Sequence, residues 1–192
     1  MDALEALLTR TTVPQAMMAG PGPEGDALDL ILQAGIAAPD HGKLRPWRFL
    51  LIRGEGLARL GEVFVSALLE RQPDAPEGVV EKARTGPLRA PLIVVVVGAV
   101  QPDHPKIPEI EQIGSAAAAA QNMLIAAHAL GFAGKWSTGG NAYDRAINQA
   151  LGLAAHEHLI GYLYFGTSRA ARDVPDRPGV ASLVAEWPPA GA

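Results

Sequence analysis

Residues 91–100 read PLIVVVVGAV, and this stretch decides the fold class. Residues 93–97 are an unbroken run of β-branched side chains, which is typical of a strand covered on both faces. The run is too short to cross a bilayer, because a spanning helix needs about 20 apolar residues. We therefore expect a central strand with other structure packed on each side of it.

Strand and helix patterns surround this central strand. Strands are predicted at 47–52, in FAGKWST at 132–138 and in HLIGYLYFGT at 158–167. Helices are predicted at about 2–10, 26–37, 57–69 and 79–84, and as one element in NAYDRAINQALG at 141–152. The elements do not alternate strictly as strand and helix. This order predicts an α+β fold with a mostly antiparallel central sheet flanked by helices.

The longest predicted helix runs over about 109–130 and contains the sequence SAAAAAQNMLIAAHA. Its alanines remove bulk on every face, so that other helices can approach closely. Gln121, Asn122 and His128 interrupt the apolar run and argue against a membrane span. We predict a long central helix, either in the core or at a subunit interface.

Composition sets the broad class of the protein. The 192 residues are 48% hydrophobic and 19% charged, which predicts a single globular domain over 1–192. The net charge of -4 argues against a nucleic-acid partner, and no cysteine is present for a disulfide or a thiolate. The first ten residues lack the pattern of a signal peptide, so a cytoplasmic protein is expected. The Gly- and Pro-rich stretch at 17–25 predicts a mobile connector.

Several common site motifs fail on inspection. Gly20, Gly22 and Gly25 spell GxGxxG, but two prolines interrupt it and no strand precedes it. Neither Gly-Lys pair is followed by Ser or Thr, as a phosphate-binding P-loop requires. His156 and His158 lack a third ligand nearby in the sequence, so no metal site is expected.

Four loop segments carry groups suited to an anionic, planar ligand. They are RTT at 10–12, APDHGKLRPWRF at 38–49, KWSTGG at 135–140 and GTSR at 166–169, with Arg172 close behind the last. A guanidinium with neighbouring hydroxyls can hold a phosphate, and a Gly-rich turn lets backbone N–H groups approach a ligand. Solvated loops and an Arg placed at a helix C-terminus are the alternative explanations.

The ordered set RTT, APDHGKLRPWRF, RAPLIVVV, LGFAGKWSTG and GYLYFGTS resembles the FMN-dependent nitroreductase family. The likeness is to its small, single-domain NAD(P)H nitroreductase branch and covers about residues 2–169. It implies a homodimer with two FMN sites at the subunit interface, each built from both chains. NADH or NADPH would reduce the flavin, and a nitroaromatic, quinone or similar small-molecule acceptor would then take two electrons in a ping-pong cycle.

The resemblance also implies which residues contact the cofactor, and it names no catalytic base. The cofactor-binding residues are Arg10, Thr11, Thr12, Asp40, His41, Pro46, Trp47, Trp136, Ser137, Thr138, Gly166, Thr167 and Arg169. Arg10 and Thr12 would hold the phosphate, with Arg169 or Arg172 as a second cation. His41 would reach the FMN of the other subunit. The sequence departs from the family at Thr11, where an Arg is usual, and at Ala37, where some relatives have Arg.

Two alternatives stay open at this point. Some proteins of this fold use reduced FMN for oxygen chemistry or dehalogenation, and nothing in the sequence excludes that use. A dimeric flavin-binding module without turnover would fit weakened cofactor contacts at Thr11 and Ala37. The sequence does not distinguish NADH from NADPH as the donor.

Overall fold

The computed structural model describes residues 1–170, 173–174 and 176–188 of the chain. Within these residues, five strands form one sheet and helices pack on both of its faces. In chain order the elements are α1 (Ala3–Thr9), β1 (Met18–Ala19), α2 (Gly25–Ile36), β2 (Trp47–Arg53), α3 (Glu55–Arg71), α4 (Glu77–Thr85), β3 (Leu92–Ala99), α5 (Glu109–Ala129), β4 (Ala133–Ser137), α6 (Gly140–Tyr143), α7 (Arg145–Ala150) and β5 (Glu157–Ser168). Short 3₁₀ turns lie at Gln15–Met17, His41–Lys43, Pro87–Arg89 and Val180–Ser182.

Strand β3 is buried on both faces, as the β-branched run predicts. Ile93, Val95 and Val97 enter one hydrophobic cluster, which also contains Leu60 and Phe64 of α3. The alternate residues of β3 enter a second cluster with α2 and α5. Successive side chains of a strand point to opposite faces, so one short run supplies both halves of the core.

The sheet is antiparallel throughout the described pairings, with the order β1-β5-β3-β2 and β4 paired to β5. The predicted α+β class with a mostly antiparallel sheet is therefore confirmed. Strand β5 is long enough to pair with three neighbours, β1, β3 and β4. Its residues pair with β3 on one side and with β4 on the other.

Helix α5 is the long helix that the alanine-rich stretch predicts. Ala116, Ala119 and Ala120 are fully buried, and their small side chains let α2 and the sheet come close. A side chain at Gly35 of α2 would collide with Met123 of α5, which shows how near the two helices lie. That α5 also forms a subunit interface stays a prediction.

Two sequence predictions of local structure are wrong. Residues 141–152 form two short helices, because the Asp144 side chain accepts hydrogen bonds from the N–H groups of Ala146 and Ile147 and begins α7. The stretch 17–25 is not simply a mobile connector, because Met18 and Ala19 form β1 opposite the end of β5. No helix in the described part of the chain has the length and apolar character of a membrane span.

Candidate functional site

Strand β4 has one open edge, and this edge is the main feature of the site. Among the described residues, β4 pairs along its length with β5 alone. The carbonyl of Gly134 points away from β5 and accepts a hydrogen bond from Val13 N–H at 3.1 Å. Because alternate residues of an antiparallel pair point their backbone groups to opposite sides, the N–H and C=O of Trp136 also face this open edge.

The segment 10–13 closes one end of the open edge of β4. Helix α1 ends at Thr9, whose hydroxyl oxygen lies 2.9 Å from His128 Nε2 of α5. Val13 is buried and bonded to Gly134, so the intervening Arg10 and Thr12 stand beside the start of β4. Thr12 is exposed, whereas Arg10 is half-buried.

The electrostatics at this end favour an anion. Burial lowers the pKa of the Arg10 guanidinium, and the positive charge of Arg177 lowers it further. Arg177 also donates a hydrogen bond to the Arg10 carbonyl at 2.9 Å. An anion that binds between or beside two guanidinium groups reduces the repulsion between their positive charges.

The other end of the open edge is the turn after β4. Ser137 ends the strand, Thr138 is exposed, and Gly139 has a φ of 69°, a left-handed conformation that suits glycine. The Trp136 indole packs across Gly161 of β5 and donates from Nε1 to the Ile160 carbonyl at 3.1 Å. The Trp136 side chain thus supports the sheet, and only its backbone faces the open edge.

Residues 166–168 are the last three of β5, with Gly166 opposite the first residue of β4, and Arg169 follows the strand. A side chain at Gly166 would meet the Ala19 carbonyl at 2.8 Å, so this glycine permits the approach of β1. The Thr167 hydroxyl donates to the Pro21 carbonyl at 2.8 Å. Both residues therefore have a structural role besides the predicted cofactor contact. Arg172 lies outside the described residues.

Arg169 lines a cavity of about 510 Å³ on the β1 side of β5. The cavity is also lined by Gln15, Ala16, Met18, Ala19, Gly20, Leu57, Leu88, Arg89, Ala90 and Pro91. Its two arginines are not matched by any carboxylate in this lining. Strand β5 separates the cavity from the open edge of β4, because β1 and β3 lie on one side of β5 and β4 on the other.

A polar group behind the edge strand was not predicted from the sequence. Lys135 donates from Nζ to Gln15 Oε1 at 2.8 Å, and Gln15 also bonds the Tyr164 hydroxyl. Burial raises the Tyr164 pKa, and the bond to Gln15 and the charge of Arg89 oppose that rise. Lys135 and Tyr164 lie directly opposite each other in the β4–β5 register, so pairing the two predicted strands would have indicated this polar group.

The second group of predicted site residues forms the loop before β2, which we call the 40–47 loop. The Asp40 carboxylate accepts from Leu44 N–H at 3.2 Å and Arg45 N–H at 2.7 Å. His41 Nδ1 lies 2.6 Å from Glu111 Oε2. Pro46 is buried, and its carbonyl accepts from Ala99 N–H at 3.1 Å. Most polar groups of this loop are thus used within the chain.

Arg48, which follows the 40–47 loop, forms the strongest ion pair near it. Its Nε and Nη2 each lie 2.6 Å from a Glu157 carboxylate oxygen, and Nη2 also donates to the Gly152 carbonyl. Hydrogen bonding from Arg48, helped by the Ala154 N–H, lowers the Glu157 pKa to about 2 although desolvation opposes the shift. Arg48 therefore ties β2 to the start of β5.

The register separates the two groups within one chain. Trp47 lies opposite Gly98, which lies opposite His158 near the start of β5, whereas Trp136 lies opposite Leu163. The offset is about 16 Å along the strands and about 14 Å across three strand spacings. Within one chain, Trp47 therefore lies about 20 Å from Trp136, in the middle of the open edge of β4.

Comparison with known proteins identifies the class to which this arrangement belongs. The Nitroreductase family profile matches residues 14–167, most of the chain. The Escherichia coli K12 protein named "Putative NAD(P)H nitroreductase YdjA" is 38% identical over 180 residues, covering 92% of this chain and 96% of the relative. The chain belongs to the nitroreductase family.

Solved structures agree on the fold. A nitroreductase-like protein from Bacillus cereus superposes with a TM-score of 0.82 at 21% identity, covering 97% of this chain and 96% of the other. A Desulfovibrio desulfuricans protein, solved in complex with FMN, superposes with a TM-score of 0.72 at 26% identity, covering 97% and 96%. The predicted nitroreductase-like fold is confirmed.

Proposed function

We propose that the protein is an FMN-dependent oxidoreductase that transfers two electrons from NADH or NADPH to a nitroaromatic, a quinone or a similar electron-poor acceptor. One observation carries the proposal: the open edge of β4 runs from the cationic segment at Arg10 to the glycine turn at Gly139. Family membership and the FMN-bound relative support the same cofactor.

The residues present fit FMN in size and in chemistry. From Gly134 to Thr138 the strand advances about 13 Å, so the two ends of an elongated ligand would meet different groups. Arg10 and Thr12 would hold the phosphate at one end through charge-assisted hydrogen bonds. The outward N–H and C=O of Trp136 offer the hydrogen bonds that the edge of a flavin ring needs.

The proposal requires a second copy of the chain. Within one chain, Trp47 lies about 20 Å from Trp136, which supports a contact from the 40–47 loop of a second copy. In a homodimer with the cofactor between the copies, His41 of the second copy would approach the ring. The exposed apolar side chains of α1, Leu4 at 69% and Leu8 at 63%, are available to be covered by such an interface.

Bound FMN supplies the chemistry, because it accepts a hydride from a reduced nicotinamide and passes two electrons to an acceptor. The chain's own part is to bind and orient. Arg10 would hold the phosphate, the outward backbone groups of β4 would contact the ring, and the left-handed Gly139 leaves the turn without a side chain. His41 is held by Glu111, so we assign it a positioning contact and name no catalytic base.

Purification followed by anaerobic spectroscopy tests the proposal. We expect a yellow protein that binds stoichiometric FMN, loses its flavin absorbance when NADH or NADPH is added, and regains it when a nitroaromatic or a quinone follows. A protein that binds FMN but is reduced by neither nucleotide would be a flavin-binding module. A protein that ignores added FMN would overturn the proposal.

A further inference from the structure

The 40–47 loop and Arg48 carry four cationic or protonatable side chains, but only two of them are committed to partners. His41 and Arg48 each contact a glutamate at 2.6 Å. Lys43 and Arg45 are exposed and make no side-chain hydrogen bond or ion pair within the described part of the chain. Two cations two residues apart are thus available to an external anion.

The backbone at these two cations is unusual. Lys43 has a φ of 57° and Arg45 a φ of 51°, both in the left-handed region, and Gly42 before them has a φ of 72°. Residues with long side chains rarely adopt this conformation, and a turn that needs it normally carries Gly or Asn. Lys43 and Arg45 occupy positions where Gly or Asn would adopt the same backbone with less strain. Such strain is typical of functional loops.

The loop is also held in place before any ligand arrives. The Asp40 carboxylate binds Arg45 N–H at 2.7 Å, and the Arg45 carbonyl accepts from Trp47 N–H at 2.7 Å. Ile107 packs where a side chain on Gly42 would lie. The backbones of the two cations are therefore fixed, which reduces the ordering cost of binding an anion.

We propose that Lys43 and Arg45 bind the 2′-phosphate of NADPH and make NADPH the preferred electron donor. The inference rests on the proposed function, because the loop of one copy must meet the donor at the flavin of the other. The two cations suit a phosphomonoester, since an Arg fork and a Lys point charge can share its three oxygens.

The 2′-phosphate is favoured over the other phosphates of the donor. A phosphomonoester carries about −1.5 to −2 charges at pH 7, which matches two adjacent cations. The pyrophosphate that NADH and NADPH share carries a single charge on each phosphorus. The FMN phosphate is assigned to Arg10 and Thr12, which lie beside β4.

Steady-state kinetics of the dimeric holoenzyme with both donors test the inference. We expect the wild type to prefer NADPH. Lys43→Gln and Arg45→Gln should each lower kcat/KM for NADPH about tenfold while changing that for NADH by less than about twofold, as expected for loss of one charge-assisted hydrogen bond. For the double variant Lys43→Gln with Arg45→Gln, the matched control is Arg59→Gln with Lys82→Gln, since both control residues are exposed on α3 and α4. It removes the same charge and should leave the ratio unchanged.

A binding measurement separates recognition from turnover. By calorimetry, adenosine 2′,5′-bisphosphate should bind the wild type more tightly than adenosine 5′-monophosphate, and the double variant Lys43→Gln with Arg45→Gln should abolish the difference. Lys43→Asn should lower NADPH preference and raise the melting temperature, because Asn tolerates the left-handed backbone. A purely structural role for Lys43 would predict the stability change without the change in preference.

Failure of the proposed function and failure of the NADPH inference give different results. A protein whose flavin is reduced by neither nucleotide removes the proposed function and this inference together. A protein reduced equally well by both nucleotides, or one whose variants lose NADH and NADPH activity to the same extent, keeps the proposed function and overturns the inference. Equal loss would assign the cations to the shared pyrophosphate.

Discussion

The open edge of β4 and the 40–47 loop carry similar polar groups, but they use them differently. Along β4, the backbone groups of Trp136 face outward, and the half-buried cation of Arg10 lies beside the start of the strand. In the loop, the polar groups of Asp40, His41 and Pro46 contact other groups of the same chain. The flavin would therefore be bound mainly by the edge, and the loop would present the exposed Lys43 and Arg45 to the nicotinamide donor.

Among substitutions that act on the edge of β4 and leave the 40–47 loop unchanged, Gly161→Ala should have the largest effect on stability. The Trp136 indole occupies the space that a side chain at Gly161 would need, so the added methyl must displace it. We expect a loss of about 3 kcal/mol in the free energy of unfolding and a loss of FMN binding at the edge. Chemical denaturation measures the first effect, and Gly78→Ala is the control because nothing lies within 4 Å of that position. Equal stability of the two variants would contradict the packing described at β4.

Arg10→Ala should weaken FMN binding about tenfold to a hundredfold, which is about 1.5 to 3 kcal/mol for a charge-assisted hydrogen bond. Fluorescence titration of the apoprotein with FMN gives the affinity. The matched control is Arg89→Ala, since Arg89 lines the cavity on the other side of β5. If Arg89→Ala weakened FMN binding and Arg10→Ala did not, the cofactor would belong in the cavity.

Glu157→Gln should make stability less sensitive to acid. The Glu157 pKa is about 2 in the folded protein against an ordinary value of 4.5, so its stabilisation is fully present above pH 4.5 and is lost as the pH falls toward 2. Removing one partner of the pair should cost about 1 to 3 kcal/mol near neutral pH. Melting temperatures measured across that pH range check the effect, with Glu70→Gln as an exposed control. A variant that kept the wild-type pH dependence would show that another carboxylate is responsible.

The smallest effect should come from Asp40→Ala, which removes the acceptor of two loop N–H groups. We expect a loss of about 1 kcal/mol in stability with a smaller change in FMN affinity. Thr12→Ala should do the reverse, because Thr12 is exposed beside the edge and supports little of the fold. If both variants changed FMN affinity alone, the distinction between loop and edge would be lost.

Local patterns made much of the fold predictable from the sequence. The β-branched run of β3 and the alanine-rich α5 each carry a strong periodic signal, and both elements appear within a few residues of the predicted bounds. The sequence predicts one helix at 141–152, whereas the structure has two, α6 and α7. The Asp144 side chain divides it by capping the backbone of the second half.

The site was less predictable because its decisive contacts join distant residues. Arg48 and Glu157 are 109 positions apart, and nothing near Arg48 in the sequence reveals that its charge is already paired. Likewise, the motif at 136–138 predicts a cofactor contact for Trp136 but does not say which of its atoms make it. The indole packs on Gly161, which a motif of contiguous residues does not include. A sequence motif identifies the segment, whereas the register decides which atoms face the ligand.

Amide hydrogen exchange with and without FMN shows directly whether the cofactor covers the open edge of β4. We expect slower exchange at residues 10–12 and 135–139, together with slower exchange in the 40–47 loop, which the second copy would contribute. Slower exchange confined to residues 16–20 and 88–91, around the cavity lined by Arg89 and Arg169, would contradict it.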